Sequence, residues 1–453
     1  MKAHFRGSVD MNSSFPSLPA QGTVYLGRAS VPMALLETGS WRGDADGLAV
    51  VDLEITEGIV TQISESREVL PAGAVDLDRG QVWPTFVDVH THLDKGHILP
   101  RVNNPDGTVY GAVQSVAADK PNWSAEDVRR RFEFGLLCAF SHGTSAIRTH
   151  LDCDFAQAAI SFPVFAELRE KWAGKIALQA VGKPPLDHYL TREGEEFAEC
   201  VAEHGGLLGG VTTIFGLATE KSAAFLDEAL DALFRLAQRH DLDIDLHVDE
   251  SGDPAATSLG QVAQAAIRHR YQGRVVCGHC CSLAVQPPAV VEKTLDLCAE
   301  AKLTIVTLPM INLYLQARSE SRTPLWRGVT LTHELAARGV PVAMASDNCR
   351  DPFFAFGDHD MLEVYTQAVR IAHLDMPYGD WPRSVTSLPA GLMGLPAGGC
   401  IARGSSADFV LFRARTMSEL LSRPQPDRVV LRAGRPIDTS LPDYRELDDL
   451  FNS

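Results

Sequence analysis

The chain of 453 residues is 45% hydrophobic and 22% charged, the make-up of a globular protein long enough to bury a large core. A formal charge of −17 speaks against nucleic acid or an anionic membrane surface as the main partner, because both attract basic faces. No stretch approaches the roughly 18 apolar residues of a membrane span, and the opening MKAHFRGSVDMNSS lacks the apolar centre of a secretory signal, so a cytoplasmic location is expected.

Residues 1–22 read as a loose tail. Residues 23–82 contain short runs such as LAVVDLEITEGIVTQI that alternate like strands between turns, and 396–453 has the same texture in DFVLFRA and RVVLRAGRPID. The two ends together predict one small β-sandwich domain built from both termini. Between them, residues 83–395 alternate β-rich runs with helical stretches. The predicted strands are TFVDVHTH, SAIRTHLD, KIALQAVG, LLGGVTT, DIDLHVDE, RVVCGHC, TIVTLPM and VPVAMASDN. Helices are expected between them, including SAEDVRRRFEFGLLCAFSHG with Ser124 as N-cap, and SAAFLDEALDALFRLAQRHD. After a longer first insertion the strands recur roughly every 30 to 36 residues, as consecutive βα units do. The pattern predicts an α/β fold, a (β/α)8 TIM barrel, with a doubly wound open sheet as the competing arrangement.

The nine cysteines are odd in number and lie in apolar surroundings, the pattern of buried thiols in a reducing compartment. Cys277, Cys280 and Cys281 in VVCGHCCSL include one Cys-x-x-Cys spacing without a second, which carries little weight as a zinc signal.

In a barrel the chemistry sits at the C-terminal ends of the strands, and the unusual polar residues fall there. His90 and His92 end the first strand and, one residue apart in an extended chain, leave on the same face. His150 and Asp152 end the second, His247 and Glu250 the fifth, His279 the sixth and Asp347 the eighth. Taken singly, His150 and His279 could be ordinary hydrogen-bonded histidines, Asp347 a helix cap and Asp94 a turn anchor. Taken together, His90, His92, His247 and Asp347 make a mononuclear metal site. Nitrogen and oxygen ligands without thiolate suit one Zn2+ or Fe2+ ion with a bound water, whose pKa the ion lowers. Asp347 is expected to accept that water's proton as well as ligate. Glu250 is placed to shuttle a proton to a leaving nitrogen, and His279 to stabilise an oxyanion or polarise a carbonyl.

The ordered set HTHLDKG, RTHLD, HVDE, GHC, LPMINLYLQAR and ASDNCRDPF resembles the amidohydrolase superfamily, and within it the branch of bacterial cytosine deaminases and isopropylammelide amidohydrolases. The resemblance covers nearly the whole chain. It implies the same ligands, His90, His92, His247 and Asp347, with Glu250 as proton shuttle and His279 as the sixth-strand histidine. Binuclear relatives carry a bridging lysine on strand four; LLGGVTTIFG has none, so one ion is expected. The His-x-Glu and Pro-Cys-x-x-Cys signature of the other zinc deaminases is absent. Where cytosine deaminases place a pyrimidine-reading glutamine, this chain has Pro185, and Asn348 and Phe353 stand where they carry aspartate and tryptophan. Lys95 follows HLD as in the isopropylammelide enzymes. Lys95, Lys183, Asn348 and Phe353 are therefore the expected substrate contacts, suited to a ring bearing carbonyl or enolate oxygens. The implied activity is hydrolytic deamination of an aminated N-heterocycle. The alternatives are release of an alkylamine from an s-triazine, opening of a cyclic amide, or a non-catalytic barrel relative. The expected partner is a small heterocycle, with homo-oligomerisation left open.

Overall fold

The computed structural model describes residues 22–153, 155–213, 219–395 and 398–451. The expected tail, apart from Gly22, lies outside the described residues. The chain forms two compact units: residues up to Thr85 with Cys400–Thr439, and Phe86–Gly399 with the residues from Ser440 onward.

The first unit is built on an eight-stranded sheet. Its strands are Thr23–Pro32, Leu48–Thr56, Ile59–Glu65, Val75–Asp76, Gln81–Pro84, Phe409–Phe412, Val429–Arg432 and Arg435–Pro436. The two ends of the chain meet where Val410 pairs with Trp83 and Leu411 with Val82, antiparallel. Leu26, Val31, Leu53, Val60, Val82 and Trp83 are buried. The buried Trp83 indole keeps a partner, donating to Gln81 Oε1 at 2.9 Å.

The second unit contains eight parallel strands in sequence order: β1 Phe86–Thr91, β2 Thr144–Leu151, β3 Ala177–Gly182, β4 Leu207–Val211, β5 Ile244–Val248, β6 Val275–His279, β7 Thr304–Thr307 and β8 Val342–Met344. The last strand returns to the first. The Asp347 N–H donates to the His90 carbonyl at 2.8 Å, Thr91 Oγ1 donates to the Asp347 carbonyl at 2.8 Å, and Thr91 and Asp347 form a parallel bridge. That closure selects the barrel over the open sheet. Every residue of β5 and of β6 is buried, which is why these strands read as near-continuous apolar runs rather than as alternating ones.

Two helices illustrate the outer layer. Ala125–Ser141 begins as expected at Ser124, whose hydroxyl accepts from the Asp127 N–H. Thr219–His240 turns Leu226, Leu230, Leu233, Phe234 and Ala237 inward at helical spacing, and burying each large side chain contributes roughly 1.5–3 kcal/mol.

The C-terminal end departs from expectation. Residues from Ser440 onward, assigned by sequence texture to the small β domain, group with the barrel. Leu447, Leu450 and Phe451 share a helical stripe and pack with Phe134 and Cys138, while Arg130 Nη1 meets Asp449 Oδ2 at 2.6 Å. A short amphipathic turn at a chain end finds its apolar partner only in three dimensions.

Candidate active site

His90 and His92 lie at the mouth of the barrel, fully buried, and face His247 from β5 and Asp347 just past β8. His90 Nε2 and His92 Nε2 each lie 3.2 Å from His247 Nε2. Asp347 Oδ1 is 3.2 Å from His92 Nε2 and 3.7 Å from His90 Nε2. Burial, reinforced by neighbouring imidazoles and by Lys95 and Lys183, holds the three histidines well below their ordinary pKa, so they are neutral. Neutral imidazoles have one lone pair each to offer a cation, the three Nε2 atoms converge, and both Asp347 oxygens lack a hydrogen-bond partner.

This is the arrangement a cation requires. Ligand atoms about 2.0–2.1 Å from a tetrahedral ion lie about 3.3–3.4 Å apart, close to the three 3.2 Å spacings above, with the His90–Asp347 pair wider at 3.7 Å. The residues present therefore fit a divalent ion. The group whose ligand atoms all lie within 4.8 Å of one another is His90, His247, His279 and Asp347, so His279 borders the same centre.

His279 Nδ1 pairs with Asn312 Oδ1 at 3.0 Å. Its Nε2 faces Asp347 Oδ2 at 3.9 Å and Glu250 Oε2 at 3.8 Å. His279 and Asp347 both hold left-handed backbone, with φ of 69° and 61°, although neither is glycine. Such strain concentrates where a side chain must be aimed. Burial raises Glu250 to about 7 and Asp347 to about 7, against the cations and His279 that oppose the shift. Both carboxyls thus sit near neutrality, the range useful for moving protons.

A cavity of about 630 Å3 opens from this centre. Its wall includes His92, His247, His279, Glu250 and Asp347, the expected contacts Lys95, Lys183, Asn348 and Phe353, and Pro185. The ammonium groups of Lys95 and Lys183, from the ends of β1 and β3, both pair with Asp152. Burial and the two ammonium groups act in opposite directions on Asp152, and the ammonium groups prevail, holding it well below the ordinary carboxylate range. The two lysines diverge. Asp152 and Asp351 overcome burial at Lys95 and leave its pKa raised, whereas burial and the repulsion of Lys95 leave Lys183 lowered. Asn348 lines the cavity with its amide committed to Asp351, Nδ2 donating to Oδ2 at 2.7 Å.

Other expectations resolve differently. His150 is buried beside His90, with ring centroids 3.9 Å apart, and its Nε2 lies 3.6 Å from Asp245 Oδ1; it does not line the cavity. Asp94 anchors the turn as expected, its Oδ2 accepting the Asp152 N–H at 2.8 Å. Cys277, Cys280 and Cys281 are buried free thiols, and no metal-competent group among the described residues includes them.

Sequence reasoning passed over Asn312, which orients His279, Asp351, which fixes Asn348, and Gln316 and Arg318 on the cavity wall. Three of the four stand in LPMINLYLQAR, after β7, where the position past a strand end was the available signal.

Residues 189–438 match the model of the Amidohydrolase family. The chain belongs to that family. Among its relatives, a pterin deaminase of Rhizobium rhizogenes strain K84 is 50% identical over 454 residues, covering 98% of this chain and 100% of that one. An N-isopropylammelide isopropyl amidohydrolase of Pseudomonas sp. strain ADP is 26% identical over 398 residues, 86% of this chain and 94% of its own. Among solved structures, a 5-methylcytosine deaminase from Klebsiella pneumoniae superposes with a TM-score of 0.78 at 23% identity, covering 91% of this amidohydrolase and 97% of that chain. At that identity the likeness concerns the fold.

Proposed function

We propose that this amidohydrolase is a metal-dependent hydrolytic deaminase of an aminated N-heterocycle, with a pterin-type ring as its leading substrate. The observation that carries the reading is the convergence of three neutral imidazoles and Asp347 at the floor of a 630 Å3 cavity, with Glu250 beside them. The ring assignment is supported by 50% identity to a pterin deaminase along the whole chain and by a cavity with room for a bicyclic ring.

His90, His92, His247 and Asp347 would hold one zinc or ferrous ion, with His279 at its edge. When bound, such an ion supplies a water acidified towards neutrality. The chain's own groups do the rest. Glu250 as carboxylate takes a proton from the attacking water and returns it to the ring nitrogen or the departing amine. The amidine carbon gains oxygen and ammonia leaves, so that C–NH2 becomes C=O at the cost of one water. His279, held by Asn312, faces the oxygen that develops charge. Lys95 and Lys183 offer ammonium groups to ring carbonyl oxygens, while Phe353 and Pro185 give the ring an apolar wall. The complete ligand set speaks against a non-catalytic relative.

The test is a panel of aminated pyrimidines, purines, pterins and triazines turned over by metal-loaded protein, with ammonia and alkylamine measured separately. Ammonia from a pterin supports the reading. Alkylamine from an N-alkyl triazine alone would replace it with the isopropylammelide-type reaction, and no turnover of any aminated ring would overturn both.

A further inference from the structure

Behind the loops that carry Lys95 and Asp347, outside the catalytic cavity, lies a second cluster: His97, Cys349 and His359. All three are buried, and each offers a ligand atom within 4.8 Å of the others. Neither ring nitrogen of His97 has a hydrogen-bond partner, nor does either of His359. That leaves four unpaired polar atoms in two neighbouring rings, and a buried polar group without a partner is destabilising unless something else satisfies it.

The backbone is arranged around this cluster. The His97 N–H donates to the Cys349 carbonyl at 3.1 Å, which ties the turn after β1 to the residue that carries the thiol. Both histidines sit on left-handed backbone, φ 64° and 54°, unusual for residues with a Cβ. On the helix Ala125–Ser141, Gly135 interrupts a run of better helix formers. A Cβ there would stand 2.7 Å from Leu93 Cδ2 and 3.1 Å from His359 Nε2, so the glycine makes room for the leucine and for the imidazole together. A cavity of about 10 Å3, the size of one water, borders Cys349, His359 and Asp358 but not His97, and shows that the packing here is not closed. Asp358 adds an acidic neighbour, tied to His142 at 2.8 Å and to the Tyr444 hydroxyl at 3.2 Å.

We propose that His97, Cys349 and His359 form a second, structural metal site for a borderline-soft divalent cation such as zinc, separate from the catalytic centre. Two imidazoles and a thiolate are zinc ligands in both chemistry and number, with the fourth position left to a water or a neighbouring acidic or thiol group. The thiol gives up its proton to solvent as the S–metal bond forms. The ion would pin the turn after β1 to the loop after β8, and so fix the segments bearing Lys95, Asp347, Asn348 and Phe353.

Cobalt titration of the full chain tests this with a signal independent of turnover, because the catalytic ligand set contains no sulfur. The expected result is a second cobalt ion per chain with a near-ultraviolet thiolate-to-cobalt band. Cys349→Ser should abolish that band and the second ion together while the first ion's visible bands remain, and His359→Gln should weaken binding of the second ion at least 10-fold. A wild-type protein that stops at one ion without a sulfur band, as a cluster filled by water would, overturns the proposal. So does a band that survives Cys349→Ser. Should that variant fail to fold, the wild-type stoichiometry and band, together with His359→Gln, still decide.

Discussion

The Lys95 ammonium lies over the face of the Phe353 ring, 4.2 Å from its centroid. The contact joins the turn after β1 to the loop after β8, and the desolvated cation gains from the ring's electron-rich face what it has lost in water. With Asp152 on its other side, Lys95 is held in one place at the cavity wall. In the proposed reaction a positioned charge of this kind would meet a substrate oxygen. Lys95→Ala is expected to raise KM and lower kcat/KM roughly 10- to 100-fold, the cost of a charge-assisted hydrogen bond. Metal content should not change. Kinetics identical to wild type would remove Lys95 from substrate recognition.

Glu250 predicts the acid limb of the rate profile. Burial raises its pKa to about 7, and proton abstraction requires the carboxylate. Activity must therefore fall as pH drops through the folded-state value, because protonation removes the base. A bound cation nearby draws that value down again, so the limb should lie below 7 and above the ordinary glutamate value near 4.3. Glu250→Gln should keep the ion and lose most turnover, by about 10²- to 10⁴-fold. A wild-type kcat/KM profile flat down to the ordinary glutamate range would show that another group carries the proton.

Asp347 is the only carboxylate among the four proposed ligands, and both of its oxygens are buried without a hydrogen-bond partner. Asp347→Asn removes the negative charge that offsets the cation while preserving shape. Elemental analysis is expected to show markedly less metal in that variant. Chelation of the wild type should abolish turnover, and zinc or ferrous ion should restore it. Full activity after exhaustive chelation would contradict a metal-held water as nucleophile.

Much of the barrel was legible because most of its strand residues are buried and the strands announce themselves as apolar runs, several of them ending in the polar residue that chemistry needs. His90 and His92 could be paired from spacing alone. What spacing could not show is that Lys95, Asp152 and Lys183 meet, since they come from the ends of three different strands and their contact depends on how the barrel staggers neighbouring strands. The role of Asn312 was hidden for the same reason: an amide after β7 has no local mark distinguishing an orienter of His279 from a surface polar group. His150 sits at a strand end like the ligands, yet the barrel turns it against Asp245 instead of into the cavity. The placement of Leu447, Leu450 and Phe451 was equally non-local, resting on a stripe that only the helix Ala125–Ser141 completes.

Beneath the active site, Arg148 Nη1 donates to Asp245 Oδ2 at 2.8 Å with both side chains fully buried. The guanidinium also donates to the Leu392 carbonyl at 2.8 Å and to Gln179 Oε1 at 3.1 and 3.2 Å, so its fork is satisfied. Asp245 is less well served. Burial pushes it up to about 6 despite Arg148, and its Oδ1 has no hydrogen-bond partner. Removing the cation alone would strand that carboxyl in the barrel interior. Arg148→Met should therefore destabilise the barrel by roughly 3–5 kcal/mol, whereas Arg148→Met with Asp245→Leu should recover most of the loss, because two apolar groups need no partner. Denaturant midpoints of the single and double variants measure the difference. A single variant within about 1 kcal/mol of wild type would mean that water or a rearranged side chain satisfies Asp245, and that the pair does not hold the barrel floor beneath His90 and His150.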